Sequence, residues 1–113
     1  MQMVKVAHVD EFARTRMRSY RLMGRLVGVI RRDDGSFFAR EVGCKHQFAD
    51  LTTGRREGMR VTCPRHRWVY DLETGACLEG ANDAVLRPHR LEIRDGDIYV
   101  SLLPSDGEAA GAC

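Results

Sequence analysis

"GCKHQFADL", Gly43 to Leu51, and "TCPRHRW", Thr62 to Trp68, decide how this chain is read. The first sets Cys44 and His46 two positions apart, and the second sets Cys63 and His66 three apart. The first stretch carries no helical or strand-like repeat. The chain has four cysteines and four histidines, and these two stretches hold half of each. Thiolate sulfur with imidazole nitrogen suits zinc, iron and copper, and no carboxylate falls between the paired ligands.

Outward from the two motifs the chain reads as short strands joined by turns. "MVKVAHV" (Met3–Val9) is a valine-rich, loosely alternating strand. "RSYRLM" and "RLVGVIRR" flank Gly24, "DDGS" (Asp33–Ser36) is a turn, and "FFARE" (Phe37–Glu41) returns and leads into Cys44. "MRVTC" (Met59–Cys63) alternates and ends at the second cysteine; "RWVYDL" follows, with "ETGA" as a turn. "RLEIRDGDIYVSLL" (Arg90–Leu103) holds two strands about Asp95-Gly96-Asp97. "DEFARTRMRSY" has some helix propensity and is read as a turn plus strand. Many short strands at close spacing predict an all-β sandwich or barrel, with both Cys/His pairs at strand ends and loop tips.

A chain of 113 residues predicts a single domain, over 1–103, with 104–113 as a small, polar, frayed tail. The net charge of +2 gives no argument for nucleic acid. No apolar run approaches the ~20 residues of a membrane span. The N-terminus lacks the basic start and long apolar core of a secretory signal, so a cytoplasmic protein is expected. Cysteines stay reduced there, and a clustered set is read as metal-binding or catalytic before disulfide-bonded.

Two metal sites compete for Cys44, His46, Cys63 and His66. One is structural zinc in a tetrahedral set, although such sites usually take both cysteines from one element and both histidines from another. The other is a two-iron, two-sulfide cluster, one iron taking both thiolates and its partner both imidazoles. Each loop would then straddle the cluster. One cysteine and one histidine per loop suit that arrangement better than zinc.

The pattern C-x-H, 16 residues, C-x-x-H, then an aromatic-x-aromatic-Asp run and Thr-Gly, resembles the Rieske family. "CKHQFADL…G" is similar to its first cluster loop and "CPRHRWVYDLETG" to its second. "VKVAHVDEF", "DDGSFFAR" and "RLEIRDGDIYVSL" resemble the family's first strand, the hairpin before the first loop and the closing hairpin. The resemblance runs from about Val4 to Leu102. It implies an all-β fold: a Rieske-like β-sandwich base with a small cluster-binding lobe formed by two loops. It implies one [2Fe-2S] cluster, with Cys44 and Cys63 on one iron and His46 and His66 on the exposed one.

Departures from the family narrow the type. Respiratory-complex members carry an extra cysteine in each loop, joined as a disulfide; Ala49 and Arg65 stand at those positions here. High-potential members place a serine near Trp68. Tyr70 matches the tyrosine that can hydrogen-bond a cysteine sulfur, so at most one of two such bonds is retained. A potential near the low end of the Rieske range is expected. The chain has no room for the mononuclear-iron domain of the large oxygenases. The resemblance is therefore to stand-alone Rieske ferredoxins, carriers rather than enzymes, monomeric when free, that take single electrons from a reductase to a terminal, aromatic-ring-hydroxylating type of oxygenase. A small subunit of a larger oxidoreductase, such as a nitrite reductase, is the second reading, and a zinc-bound structural module the third.

Arg40 to Trp68 carries seven basic and three acidic residues, a net of +4. Such a collar around the loops would favour the reduced cluster and steer an acidic partner, unless its members are ordinary solvated side chains. Family members often have proline at Lys45 and glycine at Arg67. Pro64 is read as fixing the second loop's turn, Trp68 as core beneath it, Cys77 as a packing residue and Cys113 as a tail thiol. His8 and His89 are assigned structural or surface roles.

Overall fold

A computed structural model describes residues 2–44, 49–64, 67–80 and 85–105. Its strands are β1 (Met3–His8), β2 (Met17–Leu22), β3 (Arg25–Arg31), β4 (Phe37–Glu41), β5 (Arg55–Glu57), β6 (Arg60–Thr62), β7 (Val69–Asp71), β8 (Cys77–Glu79), β9 (Pro88–His89), β10 (Leu91–Arg94) and β11 (Asp97–Ser101). They form antiparallel sheets in the orders β1-β11-β10, β2-β3-β4-β9 and β5-β6-β7-β8. The all-β expectation holds. No helix among the described residues is long and apolar enough to cross a membrane.

"DEFARTRMRSY" forms one 3-10 turn, Val9–Phe12, and then β2. His8 caps that turn: its Nδ1 accepts from the Asp10 N–H at 3.1 Å, while the Glu11 carboxylate accepts from the His8 N–H. Phe12 is buried and meets Phe37 edge-on at 5.3 Å, so a single apolar anchor ends the segment. The β10–β11 turn places Asp95 and Gly96 both at positive φ, 52° and 84°, the left-handed pair that a two-residue hairpin turn requires.

The core falls on both sides of β3. Val27 and Val29 join Ala7, Phe12, Ala39, Ile98 and Val100 between the first two sheets. Successive strand residues face opposite ways, so Ile30 turns to the other face. There it joins Val42, Leu51, Val61, Tyr70, Leu72 and Leu86 under the third sheet. The first two sheets are the base and the third is the lobe. At Gly28 a Cβ would lie 2.5 Å from Cγ1 of Val42, so a bare backbone at 28 lets the chain leaving β4 cross over β3. Strands β5, β8 and β9 have two or three residues each, too few to show a period in sequence.

Candidate metal centre

Both cysteines make the same backbone hydrogen bond where their loops begin. The Cys44 N–H donates to the Ala49 carbonyl at 2.8 Å, and the Cys63 N–H donates to the Trp68 carbonyl at 2.8 Å. Each cysteine thus closes a neck with the residue five positions on. The first neck is extended by a bridge between Gly43 and Asp50 and by the Leu51 N–H bonding to Val42. The second grows from the β6–β7 pair Thr62 and Val69. The expected ligands His46 and His66 fall between neck residues, and with Lys45 and Arg65 they lie outside the described residues.

The two thiols share one buried cluster. Cys44, Cys63 and Tyr70 are all buried, and the Tyr70 hydroxyl lies 3.7 Å from Sγ of Cys44. That is the sulfur contact expected of Tyr70. Buried thiols of this kind, with a hydroxyl placed against one of them, fit the thiolate half of a [2Fe-2S] cluster. Trp68 packs against the same core, as expected. Its ring lies 6.5 Å from that of Tyr70, and a Cβ at Gly80 would come within 2.5 Å of it.

Three residues that fix the loops were not singled out from sequence. Asp50 caps the 3-10 turn Leu51–Thr53, accepting from the Thr52 N–H at 2.9 Å and the Thr52 hydroxyl at 2.7 Å. The hydroxyl of Ser19 on β2 donates to Asp50 at 2.6 Å and ties the first loop to the base. Gly54 approaches the second loop so closely that a Cβ there would run into the Thr62 carbonyl oxygen and lie 3.1 Å from Cδ of Pro64. The Asp-Leu-Thr-Thr-Gly run from Asp50 carries a cap signal. The Ser19 contact spans 31 positions and leaves no local pattern.

The basic collar needs correction at Arg40. Its side chain is only 7% exposed and is spent inside the protein. Arg55, Arg60 and Arg67 are exposed, whereas Arg56 is half-buried. Cys77 is buried in the lobe core with its thiol donating to the Glu79 carbonyl at 3.3 Å, in line with a packing role. His89 is buried in the base and contacts the Ser101 carbonyl at 2.8 Å through Nδ1. Cys113 lies outside the described residues. Ser105, the last of the described residues, donates its N–H to the Pro88 carbonyl at 2.8 Å.

The family model described as Rieske [2Fe-2S] domain matches residues 2–90. Cholesterol 7-desaturase of Caenorhabditis elegans is 24% identical over 104 residues, 84% of this chain and 24% of its own length. This chain therefore spans about a quarter of that relative. Ferredoxin CarAc of Metapseudomonas resinovorans is 24% identical over 98 residues, covering 87% of this chain and 92% of the ferredoxin. A solved complex of reduced oxygenase and oxidized ferredoxin in carbazole 1,9a-dioxygenase contains a chain of similar fold. There the TM-score is 0.77 at 25% identity, over 91% of this chain and 95% of that one.

Proposed function

This chain belongs to the Rieske [2Fe-2S] domain family, and on that premise we propose that it is an electron carrier, a ferredoxin passing single electrons from a reductase to a terminal oxygenase of the aromatic-ring-hydroxylating type. Cys44 and Cys63 bind one iron of the cluster, and His46 and His66 the other. Residues 1–103 act as one Rieske domain, followed by a tail. The carrier works in the cytoplasm, monomeric when free, with no role for nucleic acid or membrane.

The observation that carries this reading is the matched pair of necks: two buried thiols, each bonded through its own N–H to the residue five positions on. A zinc knuckle would take both of its cysteines from one such turn. The bound cluster would supply a site that gains and loses one electron. The chain's own part is to hold two thiolates rigidly, shield them from water and place the Tyr70 hydroxyl where it stabilises added charge on sulfur. The Ala49 position excludes the inter-loop disulfide of the respiratory type, which suits a low potential.

The near full-length match to a ferredoxin supports the carrier, and the longer desaturase relative keeps in play a Rieske unit working within a larger assembly. Anaerobic purification, metal analysis and electron paramagnetic resonance test the proposal. Two irons per chain are expected, with a reduced-state signal lost in Cys44→Ser and Cys63→Ser. A colourless, zinc-loaded protein sinks the cluster, and permanent co-purification with a larger oxidoreductase sinks the free carrier.

A further inference from the structure

Arg40 lies on β4, four positions before Cys44, and faces the lobe; its neighbours across the sheet are Gly28 and Pro88. A nearly buried arginine is unusual, and its burial is tolerable only when its donors are used. Nη1 donates to the Leu86 carbonyl at 2.6 Å, and Nη2 donates to the Glu73 carbonyl at 3.1 Å. Gly75 stands against the guanidinium, where a Cβ would lie 2.5 Å from Nη1. The fork therefore joins the turn between β7 and β8 to the segment that enters β9.

This placement bears on the metal centre. Cys44 leaves β4 four positions after Arg40, and Glu73 follows Tyr70 on β7 by three. Arg40 is thus a second link between the arm that ends in Cys44 and the arm that carries Tyr70. Arg32 grips the same Glu73 from outside through its carboxylate, at 2.7 to 3.2 Å, but as a partly exposed pair it is the weaker hold.

We propose that Arg40 is a positioning residue for the cluster: by clamping the β7–β8 turn onto β4 it fixes the Tyr70 hydroxyl against the Cys44 sulfur, and so sets the reduction potential through Tyr70. The inference rests on Cys44 being a cluster ligand. It is distinct from a charge effect, because the clamp depends on the planar fork that reaches two carbonyls at once.

A double-mutant cycle on the holoprotein, read by redox titration, tests it. Tyr70→Phe and Arg40→Met each lower the midpoint, by about a tenfold change in the oxidised-to-reduced ratio, about 59 mV for a one-electron couple. The double variant shifts no further than Tyr70→Phe alone. Arg40→Lys behaves like Arg40→Met, since one ammonium cannot span both carbonyls. An Arg40→Met shift that is just as large in the Tyr70→Phe background, or recovery with lysine, makes Arg40 a plain charge and overturns the proposal. So does an unmoved midpoint with a lowered melting temperature, which marks a mere strut. If Arg40→Met does not retain the cluster, Arg40→Gln, whose short amide keeps a donor group without the fork, goes through the same cycle with the same outcomes. A wild-type protein without the cluster signal sinks the proposed function together with this inference; a wild-type cluster with no dependence on Arg40 sinks this inference alone.

Discussion

The hydroxyl oxygen of Tyr70 lies 3.7 Å from the sulfur of Cys44, with both residues fully buried. Tyr70 sits mid-strand on β7, its backbone paired with Val61 on one side and Cys77 on the other. A hydroxyl aimed at a cluster thiolate stabilises the reduced form, in which sulfur carries more charge. Tyr70→Phe is expected to lower the midpoint by about 59 mV, the one-electron equivalent of about 1.4 kcal/mol, without loss of iron. The wild-type midpoint itself belongs near the low end of the Rieske range of about −150 to +300 mV, and a value above about +150 mV contradicts this account.

Gly54 makes the two loops fit together. Its backbone is extended, with φ of −90°, so conformation does not demand glycine there; space does. Any side chain would press on the Thr62 carbonyl, one residue before Cys63. Gly54→Ala should cost about 1–3 kcal/mol through overpacking. Iron content per chain should fall with it. Denaturant titration and iron analysis of the same preparation measure both, and an alanine variant with wild-type stability and iron would refute the steric account.

Asp50 is the hinge post of the first loop. It caps Leu51–Thr53 and takes the Ser19 hydroxyl from the base sheet. Asp50→Ala removes the cap and the tie together, for an expected loss of about 1–3 kcal/mol. Ser19→Ala, which spares the cap, should lose about 1 kcal/mol. Comparing the two by chemical denaturation separates capping from anchoring.

His89 ties stability to pH. Burial pushes its pKa below the ordinary 6.5, the Ser101 carbonyl and Glu41 pull it back up, and Arg25 and Arg87 push it down again. Since a carbonyl only accepts, Nδ1 carries the proton, and Nε2 has no hydrogen-bond partner among the described residues. The unfolded chain therefore takes up a proton more readily than the folded one. Stability contributed by neutral His89 is present above pH 6.5 and is lost as pH falls through and below it. Glu73, held low by its bond to Arg32, adds a second loss below about its ordinary 4.5. Denaturant midpoints at pH 7.5, 6.5 and 5.5 should fall for the wild type (about one histidine titration wide). His89→Gln should show a shallower fall over the same interval, and parallel curves would remove His89 from the explanation.

What the sequence showed depended on range. The Asp95-Gly96 turn and the alternating strands are local signals, and the fold follows them; the C-x-H and C-x-x-H spacings are local too, but their histidines lie outside the described residues. The necks closed by Cys44 and Cys63 were implicit in strands that end at each cysteine. Arg40 was misread as part of a surface collar, because a charge on an alternating strand shows its face only when both faces are known. Here β4 is buried on both sides of its end, so Arg40 turns inward. Ser19 and Gly54 act on partners far away in sequence or on backbone atoms, and neither leaves a residue pattern to read.

The consequence of β3 lies in how the protein comes apart. Val27 and Val29 are core for the base, Ile30 is core for the lobe, and Gly28 leaves room for Val42 between them. One strand is thus a wall common to both compartments, and neither compartment has an interior of its own without it. Melting should be all-or-none: the colour of the metal centre and the β-sheet signal should vanish at one temperature, and a lobe excised from its base should not hold a cluster.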